Sequence, residues 1–151
     1  MNWNGKIEAL CGLADAIEAL LRGLDDGTLR APYGGGWSAI EIAGHLRDEI
    51  EVCDQRLRRI LREDRPVYQP FDQDAYVRDA NYADMPLAAL IDAIRNDRED
   101  FAALLRGLDE AARARTGVHA ESGVENAADM LDMIIAHDEA HLADIRAAIG
   151  A

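Results

Sequence analysis

The chain contains four histidines, and two of them, His137 and His141, stand four residues apart in the apolar repeat "IIAHDEAHLADI" (134–145). On an α-helix, residues i and i+4 are neighbours on one face, so the two imidazoles would point to one place. Many zinc sites use this spacing. It serves a hydrogen-bonded or half-exposed pair equally well, so a third donor has to decide between the two readings. His45, in "IEIAGHLRDEI", is the candidate. Plotted at about 100° per residue, His45 falls on the shoulder of its apolar stripe, with Glu49 and Val52. His137 and His141 fall on the shoulder of theirs, beside Met130 and Ile134. If the two helices pack side by side, three imidazoles meet. Three protein ligands leave coordination positions open for water or substrate, as a catalytic metal requires and a structural one does not. Imidazoles alone do not select among zinc, nickel, iron and copper.

Two other metal chemistries fail on the residues. A zinc peptidase helix needs H-E-x-x-H, and "HDEAH" has Asp138 where the glutamate base belongs. A di-iron bundle needs two E-x-x-H motifs, and there are none. Around the candidate ligands, Asp48, Glu49 and Asp138 either orient imidazoles or are solvated or paired with arginines. Arg98 holds a stripe position between Ile94 and Phe101, as a snorkelling surface arginine or as an anion anchor inside the bundle. His119, in "RTGVHAESG", reads as a surface-loop histidine that could also line the pocket. Gly44, which costs a helix about 1 kcal/mol against alanine, would admit close approach of another chain or a ligand.

Four segments with helical periodicity must position these residues. The first runs from about Gly5 to Leu24 and ends at the turn "DDGT"; "APYGGG" then excludes regular structure. The second begins at the capping box "SAIE", Ser38 to Glu41, with Trp37 and Ile42 as a hydrophobic staple, and stops short of Pro66. The third starts at Pro86 and the fourth is capped by Asn126, with Asp129 in its first turn. Four amphipathic helices of roughly 20 residues imply an all-α four-helix bundle. One connection, residues 63–85, is long for a compact domain and has room for a short helix near Asp72 to Arg78. It holds Tyr68, Phe71, Tyr76 and Tyr82, four of the chain's eight aromatics. These either wall a pocket at one end of the bundle or pin down a long loop.

Composition narrows the function classes. At 151 residues the chain reads as a single domain, 1–151, with no internal repeat. With 49 % hydrophobic residues it has enough apolar material for a core, and its Ala and Leu content favours helix over sheet. The longest apolar runs are a few residues, so no membrane span is expected. "MNWNGKIEAL" carries no secretory signal pattern, and Cys11 and Cys53 are isolated, which together suggest reduced thiols and a cytoplasmic setting. Net charge is −13, from 29 acids against 16 bases, so a phosphate backbone would be repelled and nucleic-acid binding is disfavoured.

Taken together, the "GGWSAIEIAGHLRDEIEV" helix start, the "FAALLRGL" third helix and the closing "GVENAADMLDMIIAHDEAHLADI" resemble the DinB-like family (DinB/YfiT-like metalloenzymes). Its pattern is a tryptophan-serine helix start leading to a His-Leu pair. Much later comes a last helix with two histidines four apart, followed by an apolar residue and an acid. All of these occur here, in order, across nearly the whole chain. The resemblance implies an up-down-down-up bundle with the long crossover between its second and third helices. It also implies a divalent metal, zinc or nickel, held by His45, His137 and His141, so no ligand position is missing. Family members with known activity include transferases using bacillithiol, glutathione or mycothiol, and a thiol-dependent maleylpyruvate isomerase. The expected function is therefore a metal-dependent enzyme on a small-molecule substrate, with a low-molecular-weight thiol as co-substrate. Glu49, Asp138, Arg98, His119, Tyr68, Phe71 and Tyr76 are the candidates to support or wall the site. A metal-dependent hydrolase, or a non-catalytic metal- or ligand-binding stress-related bundle, would use the same three histidines. A homodimer is common in such families.

Overall fold

Side-chain caps set where the helices begin. Asn2 Oδ1 accepts the Gly5 N–H at 2.8 Å, which starts α1 at Trp3 and carries it to Leu21 (Trp3–Leu21). The helix thus lies two to three residues earlier than the apolar stripe suggests, because Asn2 caps it and Leu24 falls in the linker. The "DDGT" turn is itself the start of a one-turn helix, α2 (Asp26–Arg30), capped by Asp25. Ser38 and Glu41 form the expected capping box of α3 (Ala39–Arg62). Asn126 and Asp129 form another at α7 (Ala127–Ile149). Pro86 stands one residue outside α5 (Leu87–Arg106), as its N-cap.

The computed structural model describes residues 1–151 and is a four-helix bundle of α1, α3, α5 and α7. Its apolar core falls into two clusters, which give the direction of each helix. One cluster joins the C-terminal half of α1 (Leu13 to Leu21) and of α7 (Ile145) to the N-terminal halves of α3 (Ala39 to Leu46) and α5 (Leu90 to Ile94). The other joins the opposite halves: Ile7 and Leu10, Leu57 and Ile60, Phe101 and Leu105, Leu131 and Ile134. Helices α1 and α7 therefore run one way and α3 and α5 the other, the up-down-down-up arrangement. Both α3 and α5 start at the same end, so the chain between them must travel back along the bundle. This is the physical reason for the long crossover.

That crossover carries β1 (Val67–Tyr68), α4 (Gln73–Ala80) and a single 3-10 turn (Tyr82–Asp84). The helix expected near Asp72 to Arg78 is α4, with Asp72 as its cap. Two features depart from a purely helical reading. After the one-turn α6 (Glu110–Ala114) come β2 (Gly117–His119) and β3 (Gly123–Glu125), an antiparallel hairpin whose β2 pairs parallel with β1. Strands of two and three residues leave no period for sequence to show. The second departure concerns Gly44. A Cβ there would lie 2.1 Å from Tyr82 Cδ2, so it is this chain's own crossover that makes the close approach.

Candidate metal centre

Helices α3 and α7 pack side by side, and this brings His45 against His137 and His141. The ring centroids lie 4.9 Å (His45–His137), 4.8 Å (His45–His141) and 4.4 Å (His137–His141) apart. One nitrogen from each ring falls within 4.8 Å of the others, and the Nε2 atoms of His45 and His137 are 3.0 Å apart. His45 is wholly buried, and the other two are partly exposed. The shoulder positions read from the sequence do converge on one point.

Electrostatics favours the neutral form of His45 and His137. Burial, then the neighbouring imidazoles of His137 and His141, lowers the His45 pKa to about 3. Burial, then His141 and the Arg98 guanidinium, lowers that of His137 to about 4. Neutral imidazole is the form that donates a lone pair to a metal. Two lone-pair nitrogens facing each other at 3.0 Å can share only one proton, whereas a cation between the rings would satisfy all of them. The donor set thus fits a divalent ion that accepts nitrogen ligands. The outer faces of the rings are bare: Nδ1 of His45, His137 and His141 has no hydrogen-bond partner. Asp144 Oδ2 comes within 3.0 Å of His141 Nδ1 but lies out of line for a bond. The rings are oriented by packing instead. Trp37 lies 4.9 Å from His45, Phe71 stacks on it at 6.4 Å, and Tyr76 meets Phe71 edge-on at 5.1 Å. The crossover aromatics therefore wall the site, and Trp37, read from the sequence as a staple, is part of that wall.

The nearby carboxylates do other work than orienting imidazoles. Asp138 forms a bidentate pair with Arg98, at 2.5 and 2.8 Å. Arg98 is fully buried, which excludes the snorkelling alternative, and it also donates to Leu10 O at 3.1 Å and Leu46 O at 3.3 Å. One guanidinium on α5 thus ties α1, α3 and α7 together directly beneath the histidines. Its anion is internal to the bundle. Asp48 Oδ1 accepts the Tyr82 hydroxyl at 2.5 Å, and burial lifts the Asp48 pKa to about 6.

A cavity of about 440 Å³ opens beside the cluster, walled by Glu49, Arg56, Phe71, His119, Glu125 and Met133. Glu49 is one turn after His45 on α3, and Met133 one turn before His137 on α7. The cavity therefore begins about 6 Å along each helix from the imidazoles. His119 lies on β2 and does line it. Tyr68 is buried behind it and donates its hydroxyl to Glu125 at 2.5 Å. Arg56 escaped the sequence reading. It sits among the surface arginines of "RLRRILR", and only the fold of the crossover over α3 buries it.

The DinB superfamily profile matches residues 12–145. A protein of Geobacillus thermodenitrificans named "putative metal-dependent hydrolase" is 30 % identical over 106 residues, 70 % of this chain and 60 % of that protein. The chain thus spans about three-fifths of that relative's length. Among solved structures, YfiT from Bacillus subtilis, "a probable metal-dependent hydrolase with an unusual four-helix bundle topology", superposes with a TM-score of 0.85 at 20 % identity, covering 98 % of this chain and 87 % of that one. A mycothiol-dependent maleylpyruvate isomerase superposes with a TM-score of 0.75 at 14 % identity, over 96 % of this chain and 61 % of that one. At these identities both structures establish the bundle and nothing finer.

Proposed function

This chain belongs to the DinB superfamily, and on that premise we propose that it is a metal-dependent enzyme acting on a small molecule. His45, His137 and His141 hold one divalent ion, zinc or nickel. The observation that carries the reading is the convergence of three imidazoles beside a polar cavity. A metal held by three histidines keeps open positions and lowers the pKa of a bound thiol or water, which makes a nucleophile available at neutral pH.

Thiol chemistry is the reaction that the surrounding residues support best. Once ionised, a thiol needs no protein base, and two of the nearby carboxylates are already committed, Asp138 to Arg98 and Asp48 to Tyr82, which leaves Glu49 one turn from His45 and Asp144 beside His141. Trp37 and Phe71 pack on His45, and Tyr76 on Phe71, so an aromatic wall lies on one side of the site for the carbon skeleton of a thiol to rest on. Hydrolysis is the second reading, favoured by the names of the relatives. In that reading Glu49, buried one turn from His45 with its pKa raised by burial, would carry the proton. Loading the protein with cobalt and titrating glutathione, mycothiol and bacillithiol tests the choice. The proposal expects a sulfur-to-cobalt charge-transfer band with at least one of them, absent in His137→Ala. A cobalt-bound protein showing no such band with any of the three, yet cleaving esters in a Glu49-dependent way, would replace thiol transfer by hydrolysis.

A further inference from the structure

The cavity beside the imidazoles contains an unusual pair of charges. Glu49 and Arg56 are only 6 % and 8 % exposed, both line the cavity, and both project from α3 two turns apart. Buried charges are ordinarily paired, and neither of these takes part in a salt bridge. Beyond one contact from the Cys53 thiol at 3.7 Å, the Glu49 carboxylate has no donor. Arg56 gives one N–H to Gln69 O at 2.8 Å and rests over the Tyr68 ring at 4.9 Å, which leaves most of its donor fork free. The other acids of the wall are engaged or peripheral. Glu125 accepts from Tyr68, Asp72 caps α4, and Glu121 is exposed at the rim. His119 adds a donor. Its Nδ1 accepts the backbone N–H groups of Glu121 and Ser122 at 3.1 and 3.2 Å, which leaves Nε2 as the ring's donor.

A cavity with one free buried carboxylate and one free buried guanidinium is complementary to a molecule that brings both opposite charges. We propose that this cavity binds a zwitterion, the ammonium and carboxylate of an α-amino acid head, with the ammonium on Glu49 and the carboxylate on Arg56. This rests on the metal-centre reading only in placing the molecule's reacting end toward the imidazoles. The ligand class is then a small molecule whose amino acid head occupies the cavity and whose thiol lies about one helical turn away.

Three thiols of matched length test it: L-homocysteine, 3-aminopropane-1-thiol (which lacks the carboxylate) and 4-mercaptobutanoate (which lacks the ammonium). Calorimetry, on the protein as purified and cobalt-loaded, reads binding; the cobalt spectrum reads whether sulfur reaches the metal. L-Homocysteine should bind at least about tenfold tighter than either analogue, as expected for a charge-assisted contact. In Glu49→Gln, an isosteric change, its advantage over 4-mercaptobutanoate should vanish. In Arg56→Gln its advantage over 3-aminopropane-1-thiol should vanish. Similar affinities for all three thiols, or no binding heat with any, overturns the zwitterion site, and a charge-transfer band seen with equal affinities leaves the thiol reading standing. Selective heat without a band does the opposite: it upholds the cavity assignment and removes the thiol from the metal.

Discussion

Arg98 shows how one side chain's surroundings can differ from what its position suggests. In the sequence it is an arginine on an apolar stripe, and such residues usually snorkel. In the fold it is enclosed, and it forms a bidentate pair with Asp138, the residue after His137 on α7. Removing one partner of a buried ion pair leaves the other charged and unsolvated. Arg98→Met should therefore destabilise the protein by about 3–5 kcal/mol, and adding Asp138→Leu should recover a large part of that. Urea unfolding of the single and double variants reads the difference, and strictly additive losses would contradict the coupling. The pH dependence is also set residue by residue. His45 and His137 have folded pKa values of about 3 and about 4, below the ordinary 6.5. Unfolded chains take up protons first as pH falls, so their contribution is complete above pH 6.5 and is lost on the way down to about 3. Asp48 acts in the opposite sense. Its carboxyl is held up at about 6 against an ordinary 3.8, so it subtracts stability as pH rises through that window. Asp48→Asn keeps an acceptor for Tyr82. In metal-free protein its stability should gain on the parent between pH 4 and 6 and hold level above; a difference independent of pH would refute this.

At the scale of elements, the helix starts were legible because caps are local: Ser38 with Glu41 and Asn126 with Asp129 announce themselves within four residues. The three histidines were legible for a related reason. Spacing on two helices specifies a face, and two shoulder faces need only one packing contact to meet. The small sheet was not legible, because β1 finds its parallel partner β2 some fifty residues later and neither strand is long enough to show alternation. The role of Gly44 was half legible: its helix penalty signals a close approach, but only the folded crossover reveals Tyr82 as the neighbour. Gly44→Ala sets a gain of about 1 kcal/mol in helix propensity against overpacking of about 1–3 kcal/mol or more. With Tyr82 in place the clash should dominate and the variant should be less stable. In a Tyr82→Ala background the same change should be neutral or stabilising. Equal costs in both backgrounds would mean that the Tyr82 ring does not set the glycine.

In the molecule as a whole, no helix is long and apolar enough to cross a membrane. The direction of the four helices was implied by the family resemblance alone, since amphipathic stripes carry no polarity, and the two core clusters supply it independently. The cavity was beyond the sequence, because Glu49 and Arg56 come to line it only once the crossover is folded over α3. An ion held by His45, His137 and His141 would clamp α3 to α7 and join the two halves of the topology. Metal at about one hundred times its dissociation constant should then add about 2.7 kcal/mol to unfolding stability, and in His137→Ala that gain should disappear. A thermal melt with and without zinc reads this, and an equal shift in both proteins would place the bound ion elsewhere. The most direct measurement is metal content by mass spectrometry on untagged protein, comparing wild type with His45→Ala and His137→Ala. About one equivalent of divalent metal in wild type, with none in either variant, is the predicted result. Metal retained in both variants, or none in wild type after reconstitution with zinc and nickel, would contradict the three-histidine centre.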